Sequence, residues 1–149
     1  MDDERNRIDM NSRTVAIFGV FDGIHEGHRH FIHEARGEGD RLVAIVARDS
    51  VVEKLKGSRP LHDEATRIES LLDVPEVDMA YLGDGDEGTY YVIKEVKPNI
   101  IYLGYDQEAL SDSINKAIKK KILPKMEIKF GKPYKPKNFK SSIINKINN

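Results

Sequence analysis

The chain has no cysteine and no tryptophan. The first absence rules out a disulfide framework, a thiolate zinc site and a cysteine nucleophile. Chemistry must therefore come from histidines, carboxylates, hydroxyls, Lys/Arg and the backbone. Long apolar runs are missing as well. No window approaches the ~18 consecutive apolar residues of a membrane span, and the acidic opening Met1-Asp2-Asp3-Glu4-Arg5 is the wrong flank for a signal peptide. These features predict a cytoplasmic protein with no membrane partner. What is present is ordinary for a globular chain: 149 residues, 39% hydrophobic and 33% charged, with 11 Gly and 6 Pro. That composition excludes collagen-like, low-complexity and wholly disordered chains, and the length fits one domain with a real core. We expect a flexible extension over residues 1–13, with Met10 an alternative start, and one domain over 14–149.

The net charge of -1 hides an asymmetry, because residues 113–149 carry 11 Lys against a single acid, Glu127. Such an end can grip a polyanion, and it can equally be a solvated face.

Short apolar runs at 15–18, 42–47, 77–82, 100–103 and 126–130 alternate with stretches of helical spacing at 28–37, 63–72, 89–96 and 106–122. This is the pattern of a parallel sheet with crossover helices. It predicts an α/β, Rossmann-like three-layer domain: five mainly parallel strands with helices on both faces. Pro133 and Pro136 make 132–138 a loop, and a short last helix is expected from Ser141. Lys54-Leu55-Lys56-Gly57-Ser58-Arg59-Pro60 reads as a basic loop, a mobile lid for phosphates or a solvated surface.

The chemistry concentrates where the first strand ends, in Gly19-Val20-Phe21-Asp22-Gly23-Ile24-His25-Glu26-Gly27-His28. At the carboxyl end of a parallel strand, a helix N-terminus offers free N–H groups and a positive dipole to an anion. His25 and His28 are three residues apart, so both rings can reach one spot at the helix start and donate hydrogen bonds there. His30 and His33 have a spacing that can chelate Zn²⁺. No carboxylate completes a set, and both should point one to two turns away from the glycine turn, so no metal site is expected.

The ten-residue segment resembles the Gly-x-Phe-Asp-x-x-His-x-Gly-His signature of the cytidylyltransferase-like nucleotidyltransferases, which transfer a nucleotide from CTP or ATP to a phosphorylated acceptor. Other motifs follow in the family's order over about residues 14–147. The resemblance implies that Gly19, Val20, Phe21, Asp22, His25 and His28 bind the nucleotide and that Lys54, Lys56 and Arg67 meet phosphates. His25, His28, Lys54 and Arg67 are the implied catalytic set. Leu103-Gly104-Tyr105-Asp106-Gln107 resembles a segment of archaeal FAD synthetases, which adds Gly104 and Asp106 to the nucleotide side; Asp106 can equally be a plain helix cap. Ser141 and Ser142 match a Ser/Thr pair that holds nucleotide phosphate in family members. Asp49, Lys56 and Tyr105 are candidates for the acceptor. Val20 replaces the commonest Thr, and an Arg that often precedes the Ser/Thr pair is absent, with Lys129, Lys132 or Lys135 as stand-ins.

The implied reaction is direct attack by an acceptor phosphate oxygen on the α-phosphorus of ATP or CTP, with Mg²⁺ carried mainly by the triphosphate. Phe21-Asp22-Gly23-Ile24-His25 is similar to the bacterial FMN adenylyltransferase form of the motif, so both fingerprints favour ATP plus FMN giving FAD. CTP with glycerol-3-phosphate or a sugar phosphate is the alternative. A non-catalytic nucleotide- or RNA-binding module is the reading from another class. Against it, Phe130, Tyr134 and Phe139 are the aromatics among the C-terminal lysines, few for stacking platforms. By analogy with family members, a homodimer is expected.

Overall fold

The computed structural model describes residues 12–86 and 89–134. Ten elements follow one another: β1 (Thr14–Gly19), α1 (Glu26–Arg36), β2 (Arg41–Val46), α2 (Asp49–Lys56), α3 (Glu64–Leu72), β3 (Met79–Leu82), α4 (Tyr91–Val96), β4 (Ile100–Leu103), α5 (Glu108–Lys119) and β5 (Glu127–Phe130). All four strand pairings are parallel, and the order is β3-β2-β1-β4-β5. The α/β class and the five strands agree with the sequence pattern.

The strands are apolar throughout because the sheet is covered on both faces. In β1, Val15 and Ile17 join one core cluster with Ile32 and Ala35 of α1 and Leu71 of α3. Ala16 joins the opposite cluster with Ile93 of α4 and Ile114 and Ala117 of α5. The two-residue alternation of a strand thus sends neighbouring side chains into different helical layers. The direction in which strands are added reverses at β1: the path runs outward through β2 to β3 on one side and through β4 to β5 on the other. The crevice between the carboxyl ends of β1 and β4 is the topological switch point, where ligands of open α/β sheets bind.

Two expectations are corrected. Lys54–Lys56, expected at the start of a basic loop over 54–60, are instead the last turn of α2. Val52 is buried, and the acidic Asp49 at the first turn and Lys54 and Lys56 at the last suit the helix dipole. Gly57, left-handed at φ 81, ends the helix and donates to the Glu53 carbonyl. Arg13, expected in a frayed extension, is anchored: its N–H donates to Asp40 at 2.7 Å and its guanidinium pairs with Glu127 at 3.0 Å. Residues 1–11, with Met10, lie outside the described residues.

Candidate active site

The chain leaves β1 through a turn that places Phe21 at φ 52, in the left-handed region that a bulky residue rarely adopts. Its ring is buried and lies over Gly19, where a Cβ would stand only 2.9 Å from Phe21 Cε2. Gly19 is therefore required by the ring above it. Gly19→Ala is expected to cost about 1–3 kcal/mol as an overpacked site, readable as a lower urea midpoint.

Beyond the turn, α1 begins with a reciprocal cap. His25 Nδ1 accepts from the N–H groups of Gly27 at 3.1 Å and His28 at 3.4 Å, while His28 Nδ1 accepts from His25 N–H at 3.3 Å. Because both Nδ1 atoms accept, hydrogen bonding assigns the proton of each neutral ring to Nε2. The two rings stack with centroids 3.7 Å apart. They thus stand at the positive end of a helix with Nε2 as the donor nitrogen of each ring, and the His28 ring also bonds the Gly23 backbone. Burial holds His28 below the ordinary histidine value of 6.5, the neighbouring His25 adds to the effect, and a bond to the Gly23 backbone opposes it.

That shift has a pH consequence with a definite sign. With the folded value below 6.5, the unfolded chain takes up the proton first. The contribution is intact above pH 6.5 and is lost as pH falls from there through the lowered folded value. The melting temperature of the wild type is expected to fall below pH 6.5, and His28→Gln is expected to show a smaller fall; equal profiles would contradict the assignment.

A cleft of about 410 Å³ opens at the switch point, lined among others by Gly19, Val20, Phe21, His25, His28, Gly104, Tyr105 and Asp106. The structure thus gathers eight of the sequence-derived candidates around one space. Gln107, a residue with no role expected from the motifs, stitches the crevice together. Its side chain donates to the Phe18 carbonyl at 3.0 Å and accepts from Gly104 N–H at 2.8 Å, joining the ends of β1 and β4. Gln107 is also the residue at the α5 cap, so Asp106 is not the cap and lies in the cleft wall. His30 lines the cleft too, contrary to the expectation that it points away, and its ring is 5.0 Å from that of Tyr134. His33 does point away and bonds Glu76 at 3.2 Å. Lys132 lines the cleft, whereas Lys129 is committed to Glu38 at 2.6 Å.

Other candidates stand elsewhere. Arg67 is fully buried, and this corrects its assignment to phosphate. Its guanidinium donates to the His62 carbonyl at 2.9 Å, the Val20 carbonyl at 2.8 Å and the Asp49 carboxylate at 2.7 Å. Asp49 also accepts from Glu64 N–H, so both its oxygens are occupied and it is not placed to meet an acceptor. The Asp22 carboxylate turns to Leu61 and His62, and it does not line the cleft. Lys54 and Lys56 are exposed on α2, outside the cleft. Ser141, Ser142 and Lys135 lie outside the described residues.

Comparison with known proteins agrees with this geometry. The cytidylyltransferase-like family model matches residues 16–147. An FAD synthase of Thermococcus sibiricus is 38% identical over 89% of this chain and 90% of its own length. An FAD synthase of Aciduliprofundum boonei is 44% identical over 72% of this chain and 70% of its own. Among solved structures, a lipopolysaccharide core biosynthesis protein from Thermoplasma volcanium superposes with a TM-score of 0.71 at 35% identity, covering 85% of this chain and 99% of that one. With the glycine turn, the paired histidines and the switch-point cleft in one place, the chain belongs to the cytidylyltransferase-like family.

Proposed function

We propose that the protein is an FMN adenylyltransferase, forming FAD and pyrophosphate from FMN and ATP. The observation that carries the reading is the stacked His25–His28 pair, two Nε2–H donors held on a helix N-terminus beside the cleft. An FMN phosphate oxygen attacks the α-phosphorus of ATP; the new P–O bond forms as the bond to the pyrophosphate oxygen breaks. Negative charge grows on the phosphate oxygens, and the two imidazoles and the α1 dipole stabilise it without reorganising. No nucleophilic side chain is needed, so catalysis is positioning and charge neutralisation. Relatives named FAD synthase that match over most of both chains support the choice of flavin.

Mg²⁺ fits this site in a limited way. It needs only one or two carboxylates beside phosphate oxygens and water. Asp106 is the carboxylate lining the cleft, and it would hold the ion. When bound, Mg²⁺ neutralises triphosphate charge. Lys132, in the same wall, adds a positive point charge.

The reading includes a homodimer, by family analogy, and a cytoplasmic location. Among the described residues no helix is long and apolar enough to cross a membrane. Pyrophosphate release measured with ATP or CTP against FMN or glycerol-3-phosphate tests the substrate pair. Activity with ATP and FMN alone is expected. Activity with CTP and glycerol-3-phosphate alone would move the protein to the cytidylyl branch, and absence of nucleotide binding would overturn the reading altogether.

A further inference from the structure

The cleft draws its walls from the glycine turn, α1 and the segments after β4 and β5, and nothing from the segments after β2. An in-line displacement needs its entering oxygen and leaving pyrophosphate on opposite sides of the α-phosphorus. With the nucleotide on the β4–β5 side, the acceptor enters from the β2 side, across the glycine turn.

A built but unassigned feature stands there. The Asp22 carboxylate accepts from Leu61 N–H at 2.7 Å, from His62 N–H at 2.9 Å and from His62 Nδ1 at 2.9 Å. The carbonyl of His62 is held in turn by Arg67, which also grips Val20. Two residues of a surface loop are thus clamped to the glycine turn from both sides. The His62 ring packs over Gly23, its Cε1 4.0 Å from where a Cβ would stand, and the Gly23 backbone also bonds His28. With Nδ1 committed to Asp22, Nε2 is left for another partner on a side chain 49% exposed. Leu61, on the same anchored backbone, is 91% exposed. A fixed imidazole and a bare leucine stand side by side at the margin of the site.

We infer that Leu61 and His62, pinned on Asp22, are the seat of the acceptor: His62 Nε2 takes its phosphate and Leu61 an apolar face of its ring system. The ligand class is a phosphomonoester carrying a large planar heterocycle, and the inference rests on the FMN reading above. A glycerol phosphate would use His62 and leave Leu61 bare. Lys54 and Lys56, with no ion pair among the described residues, supply positive charge on the nearby α2.

The test uses the full chain. FMN binding is read by quenching of flavin fluorescence, and FAD formation gives separate KM values for FMN and ATP. His62→Asn keeps an N–H where Nδ1 meets Asp22 but has nothing at Nε2, whereas His62→Gln offers an amide near Nε2. His62→Asn is expected to weaken FMN binding and raise its KM about tenfold or more, the loss typical of a hydrogen bond to a charged group, with KM for ATP changed less than about twofold and His62→Gln recovering part of the loss. Leu61→Ser is expected to raise the KM for FMN about tenfold through lost apolar burial. Both side chains are exposed, so melting temperatures should match the wild type. Wild-type FMN affinity in both His62→Asn and Leu61→Ser would overturn the seat while leaving the function standing. A wild-type protein that forms no FAD would overturn both.

Discussion

His28→Ala is expected to leave the fold in place and lower the rate of adenylyl transfer at least about a hundredfold, the range seen when one preorganised donor to a developing oxyanion is removed. The fold survives because His25 Nδ1 continues to cap the first turn of α1 through Gly27 and residue 28 N–H groups. What disappears is one of two Nε2–H donors and the ring against which His25 stacks. His25 then loses its stacking partner, so its own donor is less well fixed and the two losses are not independent. The expected pattern is a fall in kcat larger than any rise in KM for ATP, because the donor acts most on charge that develops in the transition state. Single-turnover FAD formation with saturating ATP checks it. A turnover near that of the wild type would remove the histidine pair from the mechanism. His25→Ala should be worse for stability, since it deletes the cap itself, worth about 1 kcal/mol.

The largest stability effect belongs to Arg67. Arg67→Ala is expected to destabilise the protein by about 3–5 kcal/mol, the cost of breaking a buried ion pair and leaving its partner uncompensated. Three separate acceptors lose their donor at once: Val20 in the glycine turn, His62 in the anchored loop and Asp49 at the start of α2. Arg67→Lys should recover little, because an ammonium cannot reproduce a planar fork that reaches three acceptors in different directions. Urea unfolding reads the loss. Were Arg67 a phosphate ligand, Arg67→Ala would weaken ATP binding and leave the unfolding midpoint unchanged; the 0% exposure of the side chain predicts the reverse.

Arg67 also shows where sequence reading stops. The strands were legible because a sheet covered on both faces produces unbroken apolar runs, and the glycine turn was legible because its partners lie within ten residues of one another. The cap of α1 is a local event between His25 and His28. The roles of Arg67 and Asp22 depend on partners far along the chain, Val20 and Asp49 for the one, Leu61 and His62 for the other. No spacing rule reports such pairs, and the phosphate role of Arg67 was implied by the family resemblance alone. The helix at 49–56 was missed for a different reason: one fully buried side chain, Val52, gives almost no periodic signal against two exposed lysines and a glycine. Gln107 sat inside a quoted motif, and only the folded chain reveals that its amide bridges two strands.

The strand order has a consequence for the chain as it leaves the ribosome. β1 is made first but ends in the middle of the sheet, matched over six residue pairs with β2 and over only Val15–Ile100 and Ala16–Ile101 with β4. Residues 14–82 can associate as β1, β2 and β3 while the rest is still being synthesised. The growing polypeptide therefore holds one flank of β1 open until β4 emerges, and the join made then is the crevice spanned by Gln107. The wall of the cleft on that side therefore cannot be in place before residues 100–107 have been made.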